Sequence, residues 1–396
     1  MNTKRTIAIF TGNRAEYGLL NPIIRAIADH PALEYRLLVS GAHLQKDFGR
    51  TLDEIERDGF HIAGEVSIEM DQDTLFATAQ AIGTGILSLS RLLDVIKPDI
   101  FVVYADRYEA FSAAITGTQM NIPTTHIEGG DITEGGALDD SVRHAITKLA
   151  HLHFTTNRQA AERVLRLGEE PWRVFDVGLP VMDLIADGKF ATPEELSGRY
   201  GIDTAKPVVI FTQHSVTTEF ELAAEQVRPS FEAMKRLAAD GCQIVVTYPN
   251  NDAGGKCIIA EIAAQGLADC DGIQVHKSLG RYNYHGFLNL CGRAGTGVCI
   301  GNSSSGIKET PVFGCPTVNI GSRQDGRLRS TNVIDTDYDA TAIEKACRKA
   351  LFENGFRHVC ATCENPYGRG NVGRTIAETL ATIELSPRLL QKKMTY

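Results

Sequence analysis

Cysteine is missing from the first 240 residues of this 396-residue chain; all nine lie beyond that point. An odd number placed this way does not read as a disulfide framework, so reduced thiols and a cytoplasmic setting are expected. Cys360 and Cys363 form a lone C-x-x-C with no second pair at ligand spacing, so no metal is expected. Basic charge is not in excess either. The formal net charge of −9 argues against a broad nucleic-acid face or a polybasic membrane surface, but leaves room for a local phosphate site. No apolar run approaches the roughly 18 residues of a membrane span. Met1-Asn2-Thr3-Lys4-Arg5 leads straight into a β-like run rather than a signal-peptide core. The chain also lacks G-x-G-x-x-G. Its second strand, Tyr35 to Val39, ends in Ser40-Gly41 instead of an acid for an NAD ribose, which disfavours a nicotinamide enzyme.

What is present is a soluble-protein composition, 43% hydrophobic and 22% charged, in a length that implies two domains. Apolar strands and amphipathic helices alternate, which predicts mainly parallel sheets. In the first half the strands are read at Thr6 to Thr11, Tyr35 to Val39, Ile100 to Tyr104, Pro123 to Ile127 and His151 to Thr155. Helices are read at Leu19 to Ala28, Asp53 to Asp58, Thr74 to Ile96, Ala110 to Met120 and Asn157 to Leu167. The pattern weakens between Asp187 and Tyr200, where Pro193 and Gly198 suggest the domain boundary. The second half restarts with strands Pro207 to Thr212, Gln243 to Thr247, Val298 to Gly301 and Thr317 to Ile320. Its helices are read at Ala223 to Ala239, Ala340 to Asn354 and Asn371 to Glu384.

Chemistry-bearing residues gather just past the strand ends, where open α/β sheets bind ligands. Five carboxylates, two histidines and four glycines fall within the 21 residues from Thr124 to His144. Acids crowded in this way can shift one another's pKa. Arg14 follows the first strand, and Asp106 and Arg107 follow Ile100 to Tyr104. In the second half, Gln213-His214 follows one strand, and Tyr248-Pro249-Asn250 and its Gly-rich continuation follow the next. Asn302-Ser303-Ser304-Ser305-Gly306 opens a helix, offering N–H groups and hydroxyls to an anion. Two similar halves suggest a cleft with groups donated from both.

Taken together, these stretches resemble the UDP-N-acetylglucosamine 2-epimerases, with the closest likeness to the hydrolysing branch of sialic-acid synthesis. The resemblance is carried by Gly12 to Tyr17, Asp106-Arg107, His126 to Gly130, Asp139 to Lys148, Gln213-His214, Pro249 to Gly254, Gly301 to Gly306, Gly321 to Gln324 and Asn365 to Gly368. It implies two Rossmann-like domains of the glycosyltransferase-B type, at 1–187 and 188–370, with a C-terminal helix at 371–396 returning to the first. It also implies no cofactor, a UDP-sugar substrate and a homodimer or tetramer. By that likeness Asp106, Glu128 and Asp139 match the catalytic acids, and His214 the catalytic histidine; Glu128 and Asp139 are read as the proton-transfer groups, with Asp106 orienting them and His214 aiding UDP departure. Ser303, Ser304 and Glu309 match the nucleotide loop, Glu309 taking the ribose. Arg14, Arg107, Asn250 and Arg323 line the substrate path, and Tyr284 or Phe287 meets the uracil. The loop from Asp131 to Asp139 is longer than in the animal enzymes, and Glu134 within it has no matched role. A relative acting on a 2,4-diacetamido-2,4,6-trideoxy sugar therefore stands as an alternative. Arg14-Ala15-Glu16 replaces the Arg-Pro-Glu of the non-hydrolysing branch. A glycosyltransferase sharing the fold and a silent sugar-nucleotide sensor are the remaining rivals.

Overall fold

The computed structural model describes residues 4–40, 43, 52–68, 75–132, 138–250, 254–368 and 370–396, with the side chains at 14, 15, 53, 75 and 217 excepted. The contact pattern divides the chain into two compact units. One takes in Met1–Ile132, Leu138–Leu184 and Gly370–Tyr396, the other Ile185–Arg369.

The first unit holds a seven-stranded sheet: β1 (Arg5–Thr11), β2 (Leu33–Ser40), β3 (Ile62–Val66), β4 (Ile100–Tyr104), β5 (Thr124–Ile127), β6 (Leu152–Thr155) and β7 (Val174–Asp176). The second holds six strands: β8 (Val208–Thr212), β9 (Gln243–Thr247), β10 (Ile273–His276), β11 (Gly297–Gly301), β12 (Thr317–Ile320) and β13 (Val333–Thr336). The spatial orders are β3-β2-β1-β4-β5-β6-β7 and β10-β9-β8-β11-β12-β13. The described pairings are all parallel. Each sheet therefore reverses its strand order once, between β1 and β4 and again between β8 and β11. Such reversals open the crevice at which doubly wound folds bind ligands.

The central strands form because they are apolar on both faces, as parallel strands between helix layers must be. Ile100-Phe101-Val102-Val103-Tyr104 and Val208-Val209-Ile210-Phe211-Thr212 are buried throughout. The helices in chain order are α1 (Arg14–Asp29), α2 (Leu52–Arg57), α3 (Leu75–Ile96), α4 (Tyr108–Gln119), α5 (Leu138–Leu149), α6 (Arg158–Arg166), α7 (Val181–Ala186), α8 (Pro193–Tyr200) and α9 (Ala223–Ala239). They continue with α10 (Gly255–Ala264), α11 (Gly280–Cys291), α12 (Ser305–Lys308), α13 (Ala340–Phe352), α14 (Asn354–Thr362), α15 (Val372–Thr382) and α16 (Pro387–Leu390). α15 belongs to the first unit, where the Asp183 carboxylate accepts from the N–H groups of Val372 and Gly373 at 2.8 and 2.7 Å. An anion there satisfies orphan donors at the positive end of the helix.

Several readings need correction. The stretch Asp187 to Tyr200 is not patternless: Thr192 and Glu195 form a capping box, Pro193 sits at the first helical position, and Gly201 closes α8 in left-handed geometry. Proline costs nothing there, because its missing N–H would have had no partner anyway. Strands β3, β7, β10 and β13 and helices α7, α10, α11, α14 and α16 were not anticipated. Helix α1 begins a turn early, because Asn13 caps it by accepting from the Glu16 N–H at 3.0 Å. Phe76–Ile96 is long and apolar enough by composition to cross a membrane. Its Ala81, Leu89 and Leu93 side chains instead lie in the core against β4 and α4.

Candidate active site

In the first unit the loops after β1, β4 and β5 and the start of α5 carry the charged groups. Two residues at these strand ends are held in left-handed backbone without being glycine: Ala105 at φ 58° and Glu128 at φ 67°. Such strain persists where the surroundings over-determine it, and it clusters at functional sites. Here the surroundings are visible. The His126 Nε2–H donates to the Ala105 carbonyl at 2.8 Å, and His126 Nδ1 lies 3.0 Å from Thr147 Oγ1 on α5. Burial pulls His126 down to about 3, so it is a neutral brace. Beyond it, Gly130 at φ 77° packs so tightly that an added Cβ would sit 2.2 Å from the Ala160 carbonyl oxygen, a place only glycine fills.

The brace aims Asp106 at Arg143. Arg143 donates to the Asp106 carboxylate, to Asp140 at 2.9 Å and to the Asp131 carbonyl at 2.7 Å, and is itself 3% exposed. A guanidinium buried this deeply needs such partners. On the next strand end the Tyr104 hydroxyl donates to the Glu128 carboxylate. Asp139 is exposed on the first turn of α5, beside buried Asp140. Asp106, Glu128 and Asp139 thus sit on β4, β5 and α5 of one sheet end. Arg107 is exposed and reaches back to buried Glu109, 3.3 Å away. Arg14 is the first residue of α1, and its side chain falls outside the described residues, as do Glu134 and the loop at 251–253.

Next to Arg14 lies an acid the sequence reading passed over. Glu16 accepts from the Gly12 N–H at 2.7 Å, and its Oε1 has no hydrogen-bond partner among the described residues. Burial first, and Glu109 second, push its carboxyl up to about 8, so it is protonated at neutral pH.

The end of the second sheet is built differently, from amides and hydroxyls. Asn302, 1% exposed, brackets the His214 backbone: its Oδ1 accepts from the His214 N–H at 2.7 Å and its Nδ2 donates to the His214 carbonyl at 2.9 Å. The Asn302 carbonyl in turn accepts from Gln324 at 2.8 Å and Arg323 at 3.2 Å. Thus the ends of β8, β11 and β12 are tied through one residue. The Asn250 N–H donates to His214 Nδ1 at 3.0 Å, leaving the imidazole proton on Nε2. Burial, then the nearby Arg323 charge, pull His214 down to about 3. It is therefore a neutral donor. Gly301 at φ 121° lets β11 end against β8; a Cβ there would lie 1.9 Å from the Thr212 carbonyl oxygen.

Ser303, Ser304 and Ser305 are partly buried, and the Tyr284 hydroxyl meets Ser305 Oγ. The helix after this loop is a single turn, Ser305–Lys308, so its dipole adds little and the loop's N–H groups and hydroxyls carry the site. Glu309 is held by His285 Nε2 at 2.8 Å. Phe287 is corrected: it is fully buried and packs on Tyr200, centroids 5.4 Å apart, which leaves it no face for a base.

The family described as UDP-N-acetylglucosamine 2-epimerase matches residues 25–381. The chain belongs to the UDP-N-acetylglucosamine 2-epimerase family. It is 33% identical to the hydrolysing UDP-N,N'-diacetylbacillosamine 2-epimerase of Legionella pneumophila over 99% of this chain and 100% of that one. It is 35% identical to the UDP-N-acetylglucosamine 2-epimerase of Neisseria meningitidis over 88% and 89%. The Neisseria meningitidis UDP-GlcNAc 2-epimerase bound to UDP-GlcNAc superposes with a TM-score of 0.80 at 18% identity, covering 95% and 99%. The fold is that of this epimerase family, two Rossmann-like units of glycosyltransferase-B type. Within it, Arg143, His126 and Asn302 are the residues sequence reasoning did not single out. All three lay inside quoted stretches, but nothing in a linear pattern says which acid an arginine meets.

Proposed function

We propose that the chain is a hydrolysing 2-epimerase, converting UDP-N-acetylglucosamine and water to UDP and free N-acetylmannosamine through a 2-acetamidoglucal. The observation that carries this reading is the set of carboxylates in unlike settings at one sheet end. Asp106 is engaged by the buried Arg143, Glu128 receives a neutral phenol from Tyr104, and Asp139 is exposed on the first turn of α5. Acids placed in different environments suit a reaction that removes one proton and delivers another.

In this reading the first unit acts on the sugar and the second holds uridine diphosphate. The C1–O bond breaks with its electron pair leaving on the diphosphate. Positive charge at C1 makes the C2 proton removable, and Glu128 takes it, closing a C1–C2 double bond. A protonated Asp139 then delivers its proton to C2 from the opposite face, which inverts that centre; water adds at C1 and gives up a proton to the Asp139 carboxylate, while Glu128 returns the C2 proton to solvent. Asp106 orients the acids through Arg143. His214, neutral with its proton on Nε2, donates a hydrogen bond to the departing diphosphate; it does not protonate it. Ser303, Ser304 and Glu309 take the phosphates and ribose, Tyr284 flanks the base, and Arg14, Arg107, Asn250 and Arg323 complete the path. A homodimer or tetramer belongs to the same reading.

The test is incubation with UDP-N-acetylglucosamine in ²H₂O and, separately, in ¹⁸O water. The reading expects free N-acetylmannosamine deuterated at C2 and labelled at the C1 oxygen. UDP-N-acetylmannosamine as the sole product would overturn it in favour of the non-hydrolysing reaction. A second reading has its own support, the end-to-end match to the Legionella enzyme. It makes the substrate a UDP-2,4-diacetamido-2,4,6-trideoxy sugar, and turnover of that sugar alone would select it.

A further inference from the structure

We propose that Lys392 is a positioning residue for this reaction, because the segment 387–396 clamps the far end of the helix that carries Asp139 and Arg143. The inference rests on the reading above for what that helix does, but the clamp itself stands on geometry. The Lys392 ammonium donates to the carbonyls of Thr147, Lys148 and Ala150 at 3.3, 2.8 and 2.6 Å. These are the carbonyls a helix leaves orphaned at its end, and a cation there also meets the negative end of its dipole. The same ammonium lies 2.7 Å from Glu169 Oε2, and the Glu169 side chain is wholly buried.

The clamp is fastened on its own side as well. Arg173, fully buried, donates to the carbonyls of Arg388, Leu389 and Gln391 and to that of His151. Thr395 donates from its backbone to the Gly168 carbonyl at 3.2 Å, and the Tyr396 ring covers Gly168, where a Cβ would come within 2.2 Å of it. From residue 391 onward Lys392 alone is not exposed, which sets it apart from its neighbour Lys393. On the other side the chain of contacts reaches the site in two steps. Thr147, whose carbonyl Lys392 holds, places its hydroxyl 3.0 Å from both His126 Nδ1 and the Arg143 carbonyl. His126 holds the Ala105 turn, and Arg143 meets Asp106. Lys392 touches nothing that would touch substrate; it fixes the register of α5 from the opposite end.

The experiment compares Lys392→Met, which keeps the apolar stem and removes the donors, with Lys392→Arg and with the exposed control Lys393→Met. Three quantities are read on the intact chain: amide hydrogen exchange along α5, UDP affinity by calorimetry, and kcat and KM. Lys392→Met is expected to speed exchange across 138–150 and to lower kcat about ten- to a hundredfold, as small misplacements of reacting groups do, with KM and UDP affinity unchanged. Lys392→Arg should recover most of the loss, and Lys393→Met should match the parent. Unchanged exchange in α5 would overturn the clamp. Faster exchange with unchanged kcat would overturn its link to the reaction, as would a kcat loss matched by weaker UDP binding. If the parent chain turned over neither sugar nucleotide, the functional reading would fall, and hydrogen exchange alone would still decide whether Lys392 holds the helix.

Discussion

The two strand-order reversals of this molecule have the same topology and opposite chemistry. Around β1/β4, the loops after β1, β4 and β5 and helix α5 present carboxylates, a buried guanidinium and two strained non-glycine residues. At β8/β11 they present a neutral imidazole, an asparagine, serines and a glycine with no room for a Cβ. In the proposed reaction the first end moves protons, and the second holds a polyanion without exchanging protons with it. One fold supplies both because strand ends set position, while the loop residues set chemistry.

That contrast can be broken from either side. The largest effect expected is for Glu128→Gln, which keeps shape and removes the base: turnover should fall about 10³-fold or more, near the upper range for a general base, while C2 deuterium incorporation disappears. His214→Ala should cost about 10²-fold in kcat, the usual loss for one donor to a developing anion. Because His214 titrates at about 3, that variant should keep the parental pH–rate profile between pH 5 and 7. Loss of a limb that the parent shows there would mean that the imidazole had been exchanging protons. Next comes Asn302→Ala, which removes both partners of the part-buried His214 backbone groups. It should weaken UDP binding and lower stability by about 1–3 kcal/mol, measured by calorimetry and urea unfolding, with the acids of the first unit untouched.

A further effect separates the two ends by pH. Glu16 holds its proton up to about pH 8 when folded, against an ordinary value of 4.5. Between those values the folded chain binds the extra proton, so Glu16's contribution to stability is complete below about 4.5 and is lost as pH rises through 8. Glu16→Gln, which needs no proton, should therefore match the parent in Tm at pH 4.5 and exceed it at pH 8.5. An equal Tm difference at both pH values would contradict the assignment.

The same comparison shows what a linear sequence discloses. The central strands were legible because strands buried on both faces read as short apolar runs, and the loop after such a run in an α/β chain lies at the sheet's carboxyl end. Asp106, Glu128, His214 and Ser303 were placed that way. Edge strands were not: Ile62-Ala63-Gly64-Glu65-Val66 and Ile273-Gln274-Val275-His276 are only partly buried, so nothing forces an apolar run on them. Helix α8 was hidden by its own start signal, since Pro193 reads equally as a boundary and as a first helical residue. Phe287 looked available because an aromatic in an amphipathic stretch does not reveal which face it takes. Pairings across long sequence separations, Asp106 with Arg143 and His214 with Asn302, follow from sheet order, which periodicity does not encode. Lys392 is the sharpest case. In sequence it is one of two adjacent lysines in a polar segment, and only the fold distinguishes the one that caps a helix.

The central claim is that proton transfer and nucleotide binding are separately housed. Titration of UDP into Glu128→Gln by calorimetry, alongside a turnover assay on the same sample, tests it most directly. The account predicts a Kd within about twofold of the parent, under 0.5 kcal/mol, with no measurable free sugar. Parental turnover, or UDP binding weakened tenfold or more, would contradict it.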